Sequence, residues 1–418
     1  MPSRPFSQAV RPASARTAFA IAAAGVAIWL ASALVPGAGP FSLTVEGDIE
    51  RYYGYAQRTF EGQVPYRDFL LEYPPGFLPV LVAAGPADQG YVDRFRVMML
   101  TLGAAALVLL VVALYRVGAN AVELAAGTLV FAIVPLTLTS DLVVDRYDLW
   151  PVILVLIALV GFLHGHRTFG LATLGLGAAA KVYPLVLVPL ALLARRGRAH
   201  MPRDVAVVAA GALALVLPFA LLAPRGVARV GWLLVRRDLQ VESLGGSILL
   251  AAHQLGVYEP TVFYSFSLGN SWDLAGPAAQ VVAGVASLAG AAALASVWFL
   301  FARGPRGTRE MLLAVAAAVV GFVAFGKVFS PQYMVWVAAA VPLALGRVAL
   351  FVLPATVVTL LLTHYVYLEG YSDLLRGGRW SWAMLARNVI LVAIFCSLVL
   401  ELAARGRARG RPRTSARP

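Results

Sequence analysis

Cysteine is nearly absent. The single one, Cys396, lies inside an apolar run. An intrachain disulfide is therefore excluded, and so are cysteine ligand clusters. Charge is also scarce. Only 13% of the 418 residues are Asp, Glu, Lys or Arg, against about 25% in a soluble globular protein. Nucleotide fingerprints are missing too: there is no Walker-type loop, and no GxGxxG follows a strand. That argues against an ATP-driven pump and against a nucleotide-sugar enzyme with a soluble domain.

What the chain has is apolar length. Sixty per cent of its residues are hydrophobic, and the mean hydropathy is +0.79. Stretches of membrane-spanning length recur from Ala18 to Leu402. A bilayer core of about 30 Å asks for roughly 20 apolar residues per helix. Spanning strands would alternate in polarity, whereas runs such as 204–222 and 279–301 do not. The expected fold class is thus all-α, a polytopic transmembrane helical bundle.

The formal net charge of +13 does not indicate nucleic acid. Arginine is concentrated in the tail 405–417 and in short loops such as 195–203, the positive-inside pattern of a membrane protein. The basic tail suits anionic lipid. Arg4, Arg11 and Arg16 before the first apolar run resemble a signal peptide. A retained first span is the preferred reading because many spans follow, with cleavage after Ala33 as the alternative.

The apolar runs give about twelve spans: 17–35, 96–115, 121–139, 149–164, 168–180, 184–194, 204–222, 277–301, 310–325, 331–346, 349–366 and 386–403. Residues 168–194 are read as two short helices meeting near Lys181–Tyr183. A single helix would move Arg195, Arg196 and Arg198 to the external side, against the orientation rule. The organisation is then a basic cytoplasmic N-terminus (1–16), a transmembrane domain (17–403) and a basic cytoplasmic tail (404–418). Three external segments are long: 36–95, 223–276 and 367–385. Within them, 44–61, 74–87 and 227–255 suit helices lying in the membrane interface.

The polar information is densest in GDIERYYGYAQRTFEGQVPYRDFLLEYPPG, residues 47–76. Asp48 stands near the end of the first span, where a carboxylate could take the proton of an acceptor hydroxyl. It would equally serve as a helix N-cap. Arg67 can bind phosphate oxygens, and Tyr73 can stack on a sugar beside Glu72. A turn and an interfacial anchor explain the same residues. Asp141, Asp145, Arg146 and Asp148 cluster between two spans; Arg146 is read as neutralising its Asp neighbours rather than the three carboxylates as a metal set. Lys181 and Lys327 stand at external span ends and could hold a polyprenyl phosphate, or snorkel to the interface. His364, near an external helix end, could assist proton transfer.

Four pieces carry a family resemblance: residues 47–76, DRYDLWPVILVLIAL (145–159), AAKVYPLVLVPLALL (179–193) and GKVFSPQYMVWVAAAVPLAL (326–345). In their order they resemble the type-C (GT-C) membrane glycosyltransferases, in particular the polyprenol-phosphate-mannose-dependent mannosyltransferases of actinobacteria. The resemblance implies a GT-C-like fold and a multi-pass cell-membrane protein. It implies inverting transfer of a sugar, mannose, from a polyprenyl-phosphate donor to a glycolipid or glycan acceptor on the extracytoplasmic face. It places the catalytic base at Asp48. It suggests that Lys181, Tyr183, Lys327 and Gln332 line the donor side, and the substrate-binding set adds Tyr52, Arg67, Glu72, Tyr73, Asp145, Arg146 and His364. No cofactor is expected, since the lipid-linked sugar is a substrate. No DxD pair stands beside Asp48, so the expected reaction is metal-independent. A secondary transporter or lipid flippase is the alternative.

Overall fold

The computed structural model describes residues 11–35, 48–138, 140–197, 199–265 and 270–410. The first ten residues, 36–47 of the first external segment and the end of the basic tail lie outside the described residues.

The chain is mostly helical. Among the described residues, six helices are long and apolar enough to cross a membrane: Ala15–Leu34, Tyr91–Arg116, Met201–Leu222, Pro277–Arg303, Ala349–Leu375 and Trp380–Arg407. These make it a multi-pass helical membrane protein. The count is smaller than the apolar runs suggested, for a local reason. The remaining runs form helices that are short or broken. Run 121–139 stops as Ala121–Ala132 and resumes as Val134–Leu138, around Pro135. Run 184–194 is a 3-10 segment, Tyr183–Leu187, followed by Val188–Leu193, with a proline in the first turn of each. Run 331–346 is divided in the same way by Pro331 and Pro342 into Pro331–Tyr333, Met334–Ala340 and Val341–Leu343. Proline lacks an amide donor and fixes φ, so it starts such turns well and interrupts a long helix.

Burial separates the roles of the helices. Thr308–Ala324 buries Met311 through Gly321 on every face, as expected of a helix that is apolar all round. Met201–Leu222 and Pro277–Arg303 instead expose Leu213, Leu217, Leu221, Val281, Val285 and Leu288, surfaces suited to lipid. Small residues bring Arg167–Ala180 close to Met201–Leu222. A Cβ at Gly175 would lie 2.1 Å from the Val208 carbonyl oxygen, and one at Gly211 would lie 2.1 Å from that of Ala172. Glycine is what permits this mutual backbone approach.

The region 168–194 does break. Lys181 is extended (φ −156°, ψ 155°) after the helix Arg167–Ala180. The long inter-span segments differ from the expectation of interfacial helices alone. Asp48–Phe60 turns Ile49, Tyr52 and Ala56 inward, and Leu78–Ala83 buries Leu78, Val80 and Leu81. Both therefore pack against protein. The all-α expectation also misses a small antiparallel sheet: β1 (Leu239–Gln240), β2 (Thr261–Ser265) and β3 (Ser271–Ala275), in the order β1-β3-β2. Gln240 pairs with Asp273, and Tyr264 with Trp272. A separate apolar cluster around Leu239, Leu250, Leu274 and Met384 ties the sheet to the start of the last long helix.

Candidate functional site

A cavity of about 280 Å³ opens among the long inter-span segments and the helix ends. Seven predicted residues line it: Asp48, Glu72, Tyr73, Arg146, Lys181, Tyr183 and Gln332. Their supports are local. Asp48 is the first described residue of its helix, and Arg51, one turn on, returns to its carboxylate at 2.7 Å. Arg146 donates to the other oxygen of Asp48. Arg51 also reaches Glu72 at 3.7 Å, and Asn270 donates to that same carboxylate. Residues 72–77 are pressed against the end of Arg167–Ala180. A Cβ at Gly76 would lie 2.4 Å from the Ala179 carbonyl carbon and the Ala180 nitrogen. Trp150 Nε1 donates to the Gly76 carbonyl at 2.9 Å.

Lys181 turns inward at the chain break. Its Nζ donates to Asp148 at 2.7 Å and lies 4.3 Å from the Tyr147 ring centroid and 5.2 Å from that of Trp336. Tyr183 stacks on Trp336 at 4.3 Å. The expectation that Arg146 neutralises its Asp neighbours is thus corrected. Arg146 pairs with Asp48, Asp148 takes Lys181, and Asp145 takes a two-pronged hydrogen bond from Arg96 at 2.6 and 2.8 Å. Alternating residues of one turn face different partners, and only three-dimensional packing supplies them. Among the described residues no three His, Cys, Asp or Glu side chains converge as a metal set.

Five predicted residues lie outside the cavity lining. Tyr52 is buried behind it, with ring centroids 5.5 Å from Tyr73, 4.9 Å from Phe77 and 5.3 Å from Phe95. It supports the wall. Arg67 is half exposed and pairs with its neighbour Asp68 at 2.9 Å. Asp145 is occupied by Arg96. Lys327 Nζ donates to the Val235 carbonyl at 3.1 Å, away from Lys181, so the two lysines do not form the expected pair. His364 is buried, edge-on to Tyr365 at 5.5 Å.

Arg51, Arg237, Gln240, Glu242, Tyr264, Trp272, Tyr367 and Tyr371 line the cavity and were not anticipated. The i, i+4 spacing of Tyr367 and Tyr371 in an external segment was the available signal. Glu242 gave none.

The cavity is electrostatically divided. Burial alone would push the Asp48 carboxyl up, but the guanidiniums of Arg146 and Arg51 outweigh it and hold Asp48 below the usual carboxylate range. Burial pushes the Glu72 carboxyl up, against the pull of Arg51 and the Asn270 hydrogen bond. Burial also pushes Glu242 up, despite hydrogen bonds from Tyr367 and Tyr371. Arg51, Arg146 and Lys181 can stabilise an anion on one side. The adjoining Leu142, Leu233, Leu234 and Phe322 supply apolar wall. No family model matches the chain, and no curated protein matches it.

Proposed function

We propose that the chain is an inverting, GT-C-like membrane glycosyltransferase. It transfers a sugar, mannose by the resemblance, from a polyprenyl-phosphate donor to a glycolipid or glycan acceptor of the envelope. One observation carries the reading. A buried carboxylate, Asp48, shares a cavity with Arg51, Arg146 and Lys181, beside apolar wall residues. Ionisable groups among membrane helices are costly and mark functional sites. A lipid phosphate needs cations for its head and apolar wall for its tail.

In this reading the acceptor hydroxyl attacks the anomeric carbon on the face opposite the phosphate. Asp48 takes the hydroxyl proton as the new C–O bond forms. The bond from the anomeric carbon to the phosphate oxygen breaks, and that oxygen keeps the electron pair. Arg51, Arg146 and Lys181 stabilise the growing negative charge. The departing phosphate needs no proton, so one carboxylate suffices. The donor phosphate also competes for the guanidiniums that hold Asp48. Drawing them off raises the basicity of Asp48 when the donor is in place. In this reading the arginine-rich short loops face the cytoplasm by the positive-inside rule, both termini are cytoplasmic, and the cavity faces the extracytoplasmic side.

The test is incubation of purified, reconstituted protein with radiolabelled polyprenyl-phosphate sugars and envelope lipid extract. Transfer of label supports the reading. Uptake or flipping of the lipid with no transfer replaces it with a transporter or flippase.

A further inference from the structure

A second cluster of residues in the same cavity has different chemistry. Glu242 is 2% exposed and lines the cavity with Tyr264, Trp272, Tyr367 and Tyr371. Its Oε1 accepts from the Tyr367 hydroxyl at 2.6 Å and the Tyr371 hydroxyl at 2.8 Å. Its Oε2 is buried and has no hydrogen-bond partner among the described residues. The tyrosine rings stack at 4.6 Å, and Trp272 meets Tyr264 edge-on at 5.1 Å. The backbone beneath is pinned: Arg387 and Asn388, both fully buried, donate to the Glu242 carbonyl. Asn388 also donates to Ser247 Oγ at 2.9 Å.

A buried carboxylate oxygen without a donor is a deficit that a ligand can fill. The required ligand group is a hydrogen-bond donor. A hydroxyl can donate to this oxygen in a charge-assisted bond. Aromatic rings offer apolar faces with polar edges, the complement of a pyranose with C–H faces and hydroxyl rims. The Arg51, Arg146 and Lys181 cluster therefore suits the anionic donor, and the aromatic cluster around Glu242 suits a neutral polyol.

We propose that Glu242, preset by Tyr367 and Tyr371, is the acceptor subsite and binds hydroxyls of a neutral sugar in the cavity it shares with Asp48. The assignment of that sugar as acceptor rests on the glycosyltransferase reading. The existence of the sugar site does not.

The two can be tested apart. Full-length protein in nanodiscs is titrated with methyl hexopyranosides and mannobiose, and binding is followed by saturation-transfer NMR, with the transfer assay run in parallel. Wild type should bind the glycosides. Glu242→Gln, close in shape, should weaken binding by about tenfold or more, the scale of a lost hydrogen bond to a charged group. In the transfer assay it should raise KM for the acceptor and leave KM for the donor unchanged. Tyr371→Phe leaves the carboxylate but removes one support, and should weaken glycoside binding by a smaller factor, which covers the case in which Glu242→Gln does not fold. Absence of glycoside binding by wild type, or unchanged affinity in folded Glu242→Gln or Tyr371→Phe, overturns the subsite. Glycoside binding that needs Glu242 in a protein with no transfer activity sinks the enzyme reading and leaves the sugar site standing.

Discussion

Arg146 donates to the carboxylate of Asp48 across 98 residues of sequence. This contact joins the helix Asp48–Phe60 to the turn before Leu149–Leu163. Asp148 and Lys181 make a second bridge two residues further on. Together they place the helix Asp48–Phe60, and the break in the region 168–194, around one chamber.

Breaking the first bridge from one side strands a buried charge. Arg146→Ala should destabilise the protein by about 3–5 kcal/mol, the usual cost of removing one partner of a buried pair. Asp48→Asn combined with Arg146→Met should recover a large part of that loss. Chemical unfolding in detergent micelles measures both. Additive losses in the double variant would mean that the two residues are not coupled.

The cations should separate by position. Lys181→Met and Arg51→Met are expected to raise the donor KM by about tenfold or more, since each removes a charge-assisted contact in the cavity. Arg67→Ala and Lys327→Met should leave it within about twofold, because surface and rim charges contribute little. A strong effect of Arg67→Ala on donor KM would move the phosphate site away from the cavity.

Gly76 tests the packing that seats the Glu72–Tyr73 wall. A Cβ there would lie 2.4 Å from the backbone of Ala179 and Ala180, and backbone cannot swing aside as a side chain can. Gly76→Ala should cost about 1–3 kcal/mol, the range for overpacking, and should lower activity by displacing Lys181. A variant with wild-type stability and activity would contradict this contact.

Acid should act on two carboxylates in opposite senses. Asp48 is held below its ordinary 3.8 because Arg146 and Arg51 outweigh burial. Its contribution to stability is therefore present above that value and is lost as pH falls through its lowered pKa. Glu72 lies above its ordinary 4.5 because burial outweighs Arg51. Its contribution is present below that value and is lost as pH rises through its raised pKa. Glu72→Gln should thus match wild type near pH 4 and gain on it near pH 7. Asp48→Asn should fall short of wild type near neutrality and converge with it in strong acid. Unfolding midpoints across pH decide both signs.

Much of this architecture is legible in the order of residues alone. Long apolar runs with arginine in short loops imply a multi-pass helical bundle, because little else can bury such composition. Asp48, Arg146 and Lys181 stand out as ionisable groups beside apolar runs. Partner choice is harder to read. Asp145, Arg146 and Asp148 look like one cluster in sequence, yet each bonds to a different element. Lys327 and Lys181 follow similar small-residue runs and both come just after a helix end, yet Lys181 reaches Asp148 and Lys327 the Val235 carbonyl. Hydropathy overcounts full-length spans wherever prolines divide a run, as at Pro184 and Pro342. The sheet that carries Gln240, Tyr264 and Trp272 is built from segments too short to show a period. Glu242 acquires meaning only when Tyr367 and Tyr371, more than a hundred residues away, close over it.

The central claim is that Asp48 takes the acceptor proton in a chamber that holds a polyprenyl-phosphate sugar. The direct measurement is single-turnover transfer from radiolabelled polyprenyl-phosphate mannose by wild type and by Asp48→Asn in the same proteoliposomes, with donor binding measured alongside. Wild type should transfer the label, and Asp48→Asn should bind the donor but lose at least about 100-fold in rate, the low end of a general base's contribution. Transfer by Asp48→Asn at the wild-type rate, or donor binding with no transfer by wild type, would contradict the account.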